Sequence, residues 1–362
     1  MKILFISHSY PPIIGGVENQ NYNLAQGLSK IAKVKIIANG KGKWWLPIFI
    51  PVTFIRAIFI MMNFDACLVG NGVLAPIAAA LKFFHPKKKF FSIVHGLDIT
   101  FAYKEGTLPK IYKAINIPSL GKLDKLFMVG NFTIEEAVKI GISKEKCVFI
   151  PNGFFIEKNK KDFFREDLSK IWGADTRDKK VILTSGRLEK RKGVAWFCEN
   201  VMPNLSENIL YVIAGDGADK NNIKNSIEKN NLSNRIKMLG YVSNEIRNTL
   251  FNTCDLFVQP NIKIPGDMEG FGLSVIEAAS CKIPVIASRL EGLQDAIKDG
   301  KNGFLVESEN AEKWIKKINA IFSAGPEFSK NFGKMAGKFV EENFTWEKIS
   351  KRYLEEMEKV IK

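Results

Sequence analysis

Short apolar runs alternate with longer amphipathic segments over the first 150 residues. The segments VENQNYNLAQGLSK (17–30) and GVLAPIAAALKFF (72–84) have apolar residues at helical spacing. Runs that are apolar at nearly every position indicate strands buried on both faces, as in a parallel sheet between two layers of helices. Five such runs are KILFISH (2–8), VKIIANG (34–40), FDACLVG (64–70), KKFFSIVHG (88–96) and KLFMVGNFT (125–133).

The alternation begins again after a polar stretch. CVFIPNG (147–153) is followed by EKNKKDFFREDLSK (157–170), which predicts a linker or a first helix. Two series of strands and helices predict an α/β protein with two doubly wound Rossmann-like domains. The apolar runs of the second series are KVILTSGR (180–187), ILYVIAGDG (209–217), RIKMLGYV (235–242), CDLFVQP (254–260) and KIPVIAS (282–288).

Length and composition agree with two soluble domains. The chain has 362 residues, of which 46% are hydrophobic and 25% charged. Its five cysteines are scattered without a C-x-x-C pair, so neither a disulfide framework nor a zinc site is expected, and a reducing cytoplasm is the simplest setting. The first apolar run is too short for a secretory signal peptide, so secretion is not expected.

The positive charge is concentrated in the first half of the chain. Residues 1–150 contain 19 Lys and Arg against 8 Asp and Glu, so they carry +11 of the net charge of +15. A solvated lysine surface accounts for this excess as well as a functional partner does. The functional alternatives are an anionic lipid surface, a nucleic acid or a phosphorylated substrate.

In doubly wound sheets, ligands bind beyond the carboxyl ends of the strands. The residues that follow the predicted strands are therefore the candidates, and many of them suit a phosphate-bearing ligand held between two domains. They are Gly15 and Gly16, His95 and Asp98, Asn152 and Gly153, Gly186 and Arg187, Gly215 to Gly217, Gly240 and Tyr241, and the loop at Glu269.

Two of these loops suit an anion. In PPIIGGVEN (11–19) the paired glycines form either a tight turn or a close approach to a ligand at a helix start, and the dinucleotide fingerprint G-x-G-x-x-G is absent. In GRLEKRKG (186–193), Arg187 and Lys192 are predicted to stabilise the charge of a leaving diphosphate, whereas Lys190 and Arg191 are predicted to face solvent. His95 is equally consistent with a structural and a functional role.

The segment DMEGFGLSVIEAA (267–279) carries two glutamates around a glycine turn. Glu269 is predicted to lie near the start of a helix and Glu277 about two turns further along. Each carboxylate could accept hydrogen bonds from a pair of ligand hydroxyls while the helix start faces a phosphate. A nucleotide sugar has this distribution of groups, with ribose and hexose at the two ends of a diphosphate.

These motifs together resemble the GT-B glycosyltransferases of the large retaining family 4. The resemblance covers nearly the whole chain and is strongest in E-G-F-G-L-S-V-I-E (269–277). The other matching motifs are YPPIIGG (10–16), H-x-x-D at His95 and Asp98, IPNG (150–153), GRLEKRKG, AGDG (214–217) and LGYV (239–242). It implies two domains facing across a cleft: an acceptor-side domain over 1–155, a nucleotide-sugar-binding domain over 156–345, and a helix over 346–362 that packs back on the first domain.

The resemblance also implies a role for each candidate residue. Glu269, Arg187, Lys192 and His95 would be catalytic: Glu269 would bind the sugar hydroxyls, Arg187 and Lys192 would neutralise the diphosphate, and His95 would contact the sugar near its reacting carbon. Glu277 would bind the ribose, and the base would lie near Tyr241 and Val242. The remaining donor-binding residues would be Gly15, Gly16, Asp98, Gly186, Gly270, Phe271, Gly272 and Leu273.

The activity implied is transfer of a hexose, with retention of anomeric configuration, from a UDP- or GDP-sugar to a glycan or lipid-linked acceptor in cell-envelope assembly. No metal or other cofactor is expected, since the D-x-D pair of GT-A enzymes is absent and Arg187 and Lys192 would supply the charge. A sugar-nucleotide epimerase of the same fold is the alternative. Nucleic acid is not an expected partner, because the aromatic residues near the lysines lie in apolar runs rather than on a stacking platform.

The most apolar stretch is KGKWWLPIFIPVTFIRAIFIMMNF (41–64). Pro47, Pro51 and Arg56 are expected to interrupt it, which disfavours a membrane-spanning helix. Two interpretations stay open: a buried strand and helix of the first domain, or an interfacial element with Lys41 and Lys43 against anionic lipid. The second predicts a cytoplasmic enzyme that is peripheral on the inner membrane face.

Overall fold

The computed structural model describes residues 1–13, 15–155 and 162–361. It divides the chain into two compact units: unit 1 is Met1–Phe155 with Phe344–Lys362, and unit 2 is Ile156–Asn343. The first part of the predicted linker, residues 157–161, lies outside the described residues. Each unit contains one six-stranded sheet whose strands are all parallel, so the prediction of two Rossmann-like domains is confirmed.

Strands and helices alternate along the first part of unit 1. In chain order they are β1 (Lys2–Ser7), α1 (Gly16–Ser29), β2 (Lys33–Ala38), α2 (Leu46–Ile60), β3 (Ala66–Val69), α3 (Ala75–Phe84), β4 (Lys89–Val94), α4 (Gly96–Thr100), α5 (Thr107–Lys122), β5 (Lys125–Met128), α6 (Asn131–Lys139) and β6 (Cys147–Phe149).

Unit 2 repeats the alternation, and the chain then returns to unit 1 as a last helix. The elements are α7 (Arg165–Trp172), β7 (Lys180–Ser185), α8 (Val194–Asn200), β8 (Ile209–Ala214), α9 (Lys220–Lys229), β9 (Ile236–Gly240), α10 (Asn244–Thr253), β10 (Leu256–Gln259), α11 (Leu273–Ser280), β11 (Val285–Ser288), α12 (Leu293–Ala296), β12 (Phe304–Val306), α13 (Ala311–Ser323), α14 (Gly325–Asn343) and α15 (Trp346–Ile361). The short strand β12 is the one that the apolar pattern did not predict.

Each sheet has a topological switch point, where the order of the strands reverses and a crevice opens at their carboxyl ends. The order in unit 1 is β2-β1-β3-β4-β5-β6, so its switch point lies between β1 and β3. The order in unit 2 is β12-β11-β10-β7-β8-β9, so its switch point lies between β7 and β10. Residues that follow these four strands are therefore the first to consider for a ligand.

The sheet of unit 1 is buried on both faces. Ile3 and Phe5 of β1 pack in one core cluster with α1 and α15, whereas Leu4 and Ile6 pack in the other cluster with α2, α3 and α5. Because side chains alternate between the faces of a strand, a strand covered on both sides needs an apolar residue at every position. This is why β1 reads as a continuous apolar run.

Helix α15 completes the core of unit 1. Trp346, Ile349 and Tyr353 are buried in the same cluster as residues of β1 and α1. The segment in which the chain leaves unit 1 lies beside the segment in which it returns, because the Phe154 N–H donates to the Phe344 carbonyl at 2.6 Å. Gly153 lies against Trp346, and a Cβ there would come within 2.4 Å of the indole ring, so the glycine of IPNG is explained by packing.

Residues 43–63 form one continuous helical segment, so the prediction that prolines interrupt this stretch was wrong. Helix α2 contains Pro51, and short 3₁₀ turns at Lys43–Trp45 and Met61–Asn63 extend it at both ends. Pro47 falls at the start of α2, where an N–H has no intrahelical partner to lose. By length and composition alone, Lys43–Asn63 is apolar enough to cross a membrane, with a mean hydropathy of 2.0.

Candidate functional site

Glu269 is a buried carboxylate at the switch point of unit 2. It accepts hydrogen bonds at Oε2 from the side chains of two residues that follow β10 or end it: Asn261 Nδ2 at 3.2 Å and Gln259 Nε2 at 3.4 Å. The Lys192 ammonium donates to the same oxygen. Oε1 takes no part in these contacts, so the side chain has a second oxygen with which to accept a bond from a ligand.

Two cations keep this carboxylate charged. Lys192 forms an ion pair with Glu269, and the Arg191 Nε lies 3.9 Å from Glu269 Oε2. Burial by itself would raise the pKa of Glu269, but Lys192, Arg191 and the bond from Asn261 outweigh it and lower the pKa. Glu269 is therefore ionised at neutral pH and fixed by its donors.

The turn before α8 brings Arg191 and Lys192 to the site. Gly193 ends a 3₁₀ turn over Lys190–Lys192 with φ of +65°, and a Cβ at this position would come within 1.9 Å of the Pro260 carbonyl oxygen. The Ile262 N–H donates to the Arg191 carbonyl at 2.9 Å. This contact with the loop after β10 turns the middle of the basic run inward.

The prediction that Arg191 faces solvent was therefore wrong, whereas Lys190 is exposed. Besides its approach to Glu269, Arg191 forms an ion pair through Nη1 with Asp267 at 3.4 Å. The error has a physical cause, since the spacing of charges in the sequence does not reveal that Gly193 packs on the Pro260 backbone.

Glu291 is a second buried carboxylate that the sequence did not suggest. Its Oε2 accepts a 2.6 Å hydrogen bond from the backbone N–H of Glu269, and the Gly292 N–H donates to the Glu269 carbonyl at 3.1 Å. Glu291 has φ of +48°, a conformation uncommon for residues other than glycine. Burial raises the pKa of its carboxyl to about 7, and the charge of Glu269 acts in the same direction.

Helix α11 starts beside this cluster. The Ser274 hydroxyl, in the first turn, donates to the Gln259 side chain, which in turn donates to Glu269. Of the other predicted residues in this segment, Gly270 to Gly272 form the loop before the helix and Leu273 begins it. Glu277 lies on α11 and forms an ion pair at 3.3 Å with Arg247 of α10.

The remaining predicted residues of unit 2 lie at the ends of other strands. Gly186 and Arg187 follow β7 and are exposed, and among the described residues no hydrogen bond or ion pair is formed by the Arg187 side chain. Tyr241 and Val242 follow β9, and the Tyr241 side chain is 84% exposed. The structure thus brings Lys192 and Glu269 into contact, while Arg187 and Tyr241 remain at the surface.

In unit 1, Asp98 connects two strand ends. Its Oδ2 accepts hydrogen bonds from the His95 N–H at 2.8 Å and from the Gly72 N–H at 3.0 Å. The Tyr112 hydroxyl donates to its carbonyl at 2.9 Å. These bonds join the loops that follow β3 and β4, so the carboxylate of the H-x-x-D motif has a structural function whatever it binds.

Two histidines lie near this carboxylate, and both have a buried ring nitrogen without a hydrogen-bond partner: His95 Nε2 and His8 Nδ1. His8 directly follows β1, and its Nε2 lies 3.2 Å from Asn71 Nδ2 beyond β3. Burial lowers the pKa of both imidazoles despite the nearby charge of Asp98. Both rings are therefore neutral at pH 7, and each could form a further hydrogen bond with a ligand.

The sequence did not single out His8, although it closes the apolar run KILFISH as His95 closes KKFFSIVHG. The same rule about strand ends would have found it. The crevice at the switch point of unit 1 thus contains His8 and Asn71, whose Oδ1 is also buried without a partner.

Gly15 and Gly16 lie at the start of α1, which follows β1. A Cβ at Gly15 would clash with the Glu18 carboxylate, which accepts a hydrogen bond from the Ser9 hydroxyl, whereas a Cβ at Gly16 would meet open space. No cluster of three or more His, Cys, Asp or Glu residues is placed to hold a metal ion within residues 1–13, 15–155 and 162–361.

The chain is similar to known glycosyltransferases. Residues 164–339 match the family described as Glycosyl transferases group 1. The chain is 26% identical to an uncharacterized glycosyltransferase of Methanocaldococcus jannaschii, with 100% of this chain and 99% of that protein covered. It is 30% identical to the Escherichia coli UDP-Gal:alpha-D-GlcNAc-diphosphoundecaprenol alpha-1,3-galactosyltransferase over 62% of this chain and 58% of that enzyme.

The fold agrees as well. The crystal structure of Anabaena Alr3699/HepE in complex with UDP and glucose is similar with a TM-score of 0.75 and 18% identity, over 99% of this chain and 100% of that one. Together with the two parallel sheets, these similarities support a GT-B glycosyltransferase whose residues 164–339 match the group 1 glycosyltransferases.

Proposed function

We propose that the protein is a retaining glycosyltransferase that transfers a hexose from a nucleoside-diphosphate sugar to a lipid-linked acceptor, without a metal ion. The observation that carries this proposal is the buried, ionised Glu269, which is fixed by Lys192 and two amides at the switch point of unit 2. A carboxylate held in this way accepts hydrogen bonds from sugar hydroxyls with little loss of side-chain entropy.

The cations near Glu269 would act on the diphosphate. In the reaction, the bond from the anomeric carbon to the diphosphate oxygen breaks and the acceptor oxygen bonds to the same carbon on the same face. The acceptor proton passes to the leaving phosphate. Arg187, exposed beyond β7, and Lys192 would stabilise the charge that develops on the leaving group. His95 would contact the sugar near the reacting carbon.

The donor and the acceptor are proposed from relatives. The E. coli relative is named for a UDP-galactose donor and a diphosphoundecaprenol-linked acceptor. We infer a UDP- or GDP-sugar bound with its ribose at Glu277 and its base near Tyr241 and Val242. We also place the enzyme in the cytoplasm, peripheral on the inner face of the membrane, where a polyprenyl-diphosphate acceptor is exposed.

The test is product analysis with the purified protein. UDP- and GDP-hexoses are supplied in the presence and in the absence of EDTA, each with and without a polyprenyl-diphosphate-linked sugar, and nucleotide release and products are followed. We expect a lengthened glycan with the donor's anomeric configuration, determined by NMR. An inverted product would refute retention, loss of activity in EDTA would refute metal independence, and a donor epimer formed without acceptor would favour an epimerase.

Two matched variants connect this activity to the site. Glu269→Gln should reduce transfer at least about a hundredfold, because a neutral amide accepts sugar hydroxyls less strongly and leaves Lys192 unpaired. Glu312→Gln makes the same exchange at an exposed position on α13 and should leave transfer unchanged. Equal activities of the two variants would contradict the assignment of Glu269.

A further inference from the structure

Helix α2 exposes an apolar face that no part of the described chain covers. Six side chains at helical spacing form it, and we call it the α2 face. Trp44 is 97% exposed and Phe59 72%, and a neutral or basic residue occupies every position between them. The members of the α2 face are Trp44, Ile48, Val52, Ile55, Phe59 and Met62.

The opposite side of the same helix is part of the core of unit 1. Phe49, Ala57 and Met61 are buried in the cluster that also contains residues of β1 and α3. A helix that is apolar on all sides is normally buried on all sides. Because α2 packs on unit 1 with one side only, its other side is expected to bind a second apolar surface. Large exposed apolar surfaces on soluble units mark binding sites for proteins or membranes.

The surroundings of the α2 face favour an anionic lipid surface. The Lys41 ammonium lies 4.3 Å from the centre of the Trp45 ring at one end of the helix, and Lys88 donates to the Met62 carbonyl at 3.2 Å at the other end. Asp65 is the single acidic residue in the sequence between Glu18 and Asp98. Cations at both ends of an apolar strip, with tryptophan among them, match the headgroups and the acyl boundary of a bilayer.

Helix α3 adds to the same surface at its carboxyl end. The Phe84 ring lies 6.2 Å from the ring of Phe54 on α2 and 5.5 Å from that of Phe83. Phe83 is 81% exposed and Phe84 55%. The apolar surface therefore extends sideways from α2 to two phenylalanines on a neighbouring helix. A surface of this breadth fits a flat membrane better than the narrow groove of a partner protein.

We propose that the α2 face, with Phe83 and Phe84, lies in the interface of an anionic membrane, with α2 parallel to the bilayer surface. The buried side of α2 holds it in unit 1, so the helix enters the headgroup region without crossing the bilayer. This inference rests on the proposed membrane location and identifies the surface responsible.

The test is sedimentation with vesicles of phosphatidylglycerol or phosphatidylcholine in the absence of nucleotide sugar. The wild-type protein should bind the anionic vesicles and be released by an alkaline wash. Val52→Glu with Phe59→Glu should weaken binding at least about tenfold, because two apolar anchors become charged. Lys41→Gln with Lys43→Gln should also weaken binding about tenfold, and only to the anionic vesicles.

Val138→Glu is the control for the Val52→Glu exchange in the double variant. It makes the same exchange at a valine that is 41% exposed on α6 of the same unit, and it should bind vesicles like the wild type. Circular dichroism and thermal unfolding verify that every variant is folded.

Three results would overturn the inference: wild-type protein that binds neither vesicle, a Val52→Glu/Phe59→Glu variant that binds like the wild type, or protein that resists the alkaline wash. A lipid-free dimer in analytical ultracentrifugation that the double variant abolishes would assign the α2 face to a second copy instead. Because no donor or acceptor is present in this experiment, a failure here does not decide the transferase proposal, which the product analysis described above tests separately.

Discussion

The backbone N–H of Glu269 donates a 2.6 Å hydrogen bond to the carboxylate of Glu291, across two loops that the sequence separates by 22 residues. The bond makes Glu291 a positioning residue, because it fixes the main chain of Glu269. The Glu269 side chain in turn accepts hydrogen bonds from Lys192 and Asn261. The position of the Glu269 carboxylate thus depends on Glu291, although Glu291 forms no hydrogen bond with Lys192 or Asn261.

Glu291 should make stability depend on pH near neutrality. Its pKa is about 7 in the folded protein, above the ordinary value for Glu, so the folded state binds the proton more tightly and stability falls as pH rises towards 7. Glu291→Gln retains an acceptor for the Glu269 N–H without the charge. Its stability relative to the wild type should rise by roughly 2 kcal/mol from pH 5 to pH 8 in urea denaturation.

The control for this prediction is Glu291→Ala, which removes the acceptor. It should be destabilised at both pH values, since the buried Glu269 N–H loses its partner at a cost of about 1–3 kcal/mol. A Glu291→Gln variant whose relative stability does not change with pH would refute the raised pKa. Equal kcat/KM for Glu291→Gln and Glu291→Ala would refute the positioning role.

Lys192 and Glu269 should be energetically coupled. Removing Lys192 leaves the buried Glu269 carboxylate with Arg191, at 3.9 Å, as its remaining cation, and removing the Glu269 charge leaves the half-buried Lys192 ammonium without this ion pair. Each loss should destabilise the fold by about 1–3 kcal/mol. The double variant Glu269→Gln/Lys192→Met should therefore be less destabilised than the sum of the single variants, by about 1–3 kcal/mol. Chemical denaturation of the four proteins measures this coupling. Strictly additive effects would show that the ion pair contributes nothing to the folded state.

Arg191 and Lys190 are adjacent cations with different surroundings. Arg191→Gln should reduce kcat/KM by at least about tenfold, because it removes one of the charges that keep Glu269 ionised and the ion pair with Asp267. Lys190→Gln removes an exposed charge next to it and should leave kcat/KM unchanged. Steady-state kinetics on the two variants tests this prediction. Equal losses of kcat/KM would contradict it and indicate a general effect of net charge.

Gly193 should be far more sensitive to substitution than another glycine of similar conformation. Gly193→Ala places a Cβ within 1.9 Å of the Pro260 carbonyl oxygen, which must displace the turn that carries Arg191 and Lys192. Gly300 has a φ of +76°, but a Cβ at this position would meet open space. Gly300→Ala should therefore lower the free energy of unfolding only by the cost of a left-handed alanine backbone, about 1–2 kcal/mol. Thermal unfolding and transfer assays should show the larger loss for Gly193→Ala.

Asp98 should contribute to stability apart from any ligand. Asp98→Ala leaves the N–H groups of His95 and Gly72 without their acceptor, at a cost of about 2–4 kcal/mol in urea denaturation. Asp98→Asn keeps one carbonyl oxygen and should lose less. If both variants were as stable as the wild type, the assignment of Asp98 to a structural junction would be wrong.

The sequence predicted both sheets because strands buried on two faces need apolar residues at nearly every position, as Ile3 to Ile6 of β1 show. It also pointed to the ends of these strands, where Glu269, Lys192 and His95 lie. It did not predict Arg191 or Glu291, because their positions depend on contacts between distant loops: Gly193 packs on Pro260, and Glu291 meets Glu269 through a left-handed turn. No local pattern of residues encodes such contacts.

Helix α2 shows the opposite limitation. Local rules treat proline as an interruption, yet Pro51 lies inside a continuous helix that is held by the packing of Phe49, Ala57 and Met61 in unit 1. Tertiary packing outweighs the local preference here. The exposed side of the helix could not be predicted, because the sequence is apolar on both sides.

The return of the chain to unit 1 at α15 has a consequence for synthesis. Tyr353 and Met357 fill the core beside Ile3 and Phe5, which leave the ribosome about 350 residues earlier. Unit 2 is a continuous segment and can fold as it emerges, whereas the first unit to be translated is completed last. Until α15 arrives, the part of this sheet face that α1 does not cover is an exposed apolar surface on the nascent chain, and such surfaces are prone to aggregation.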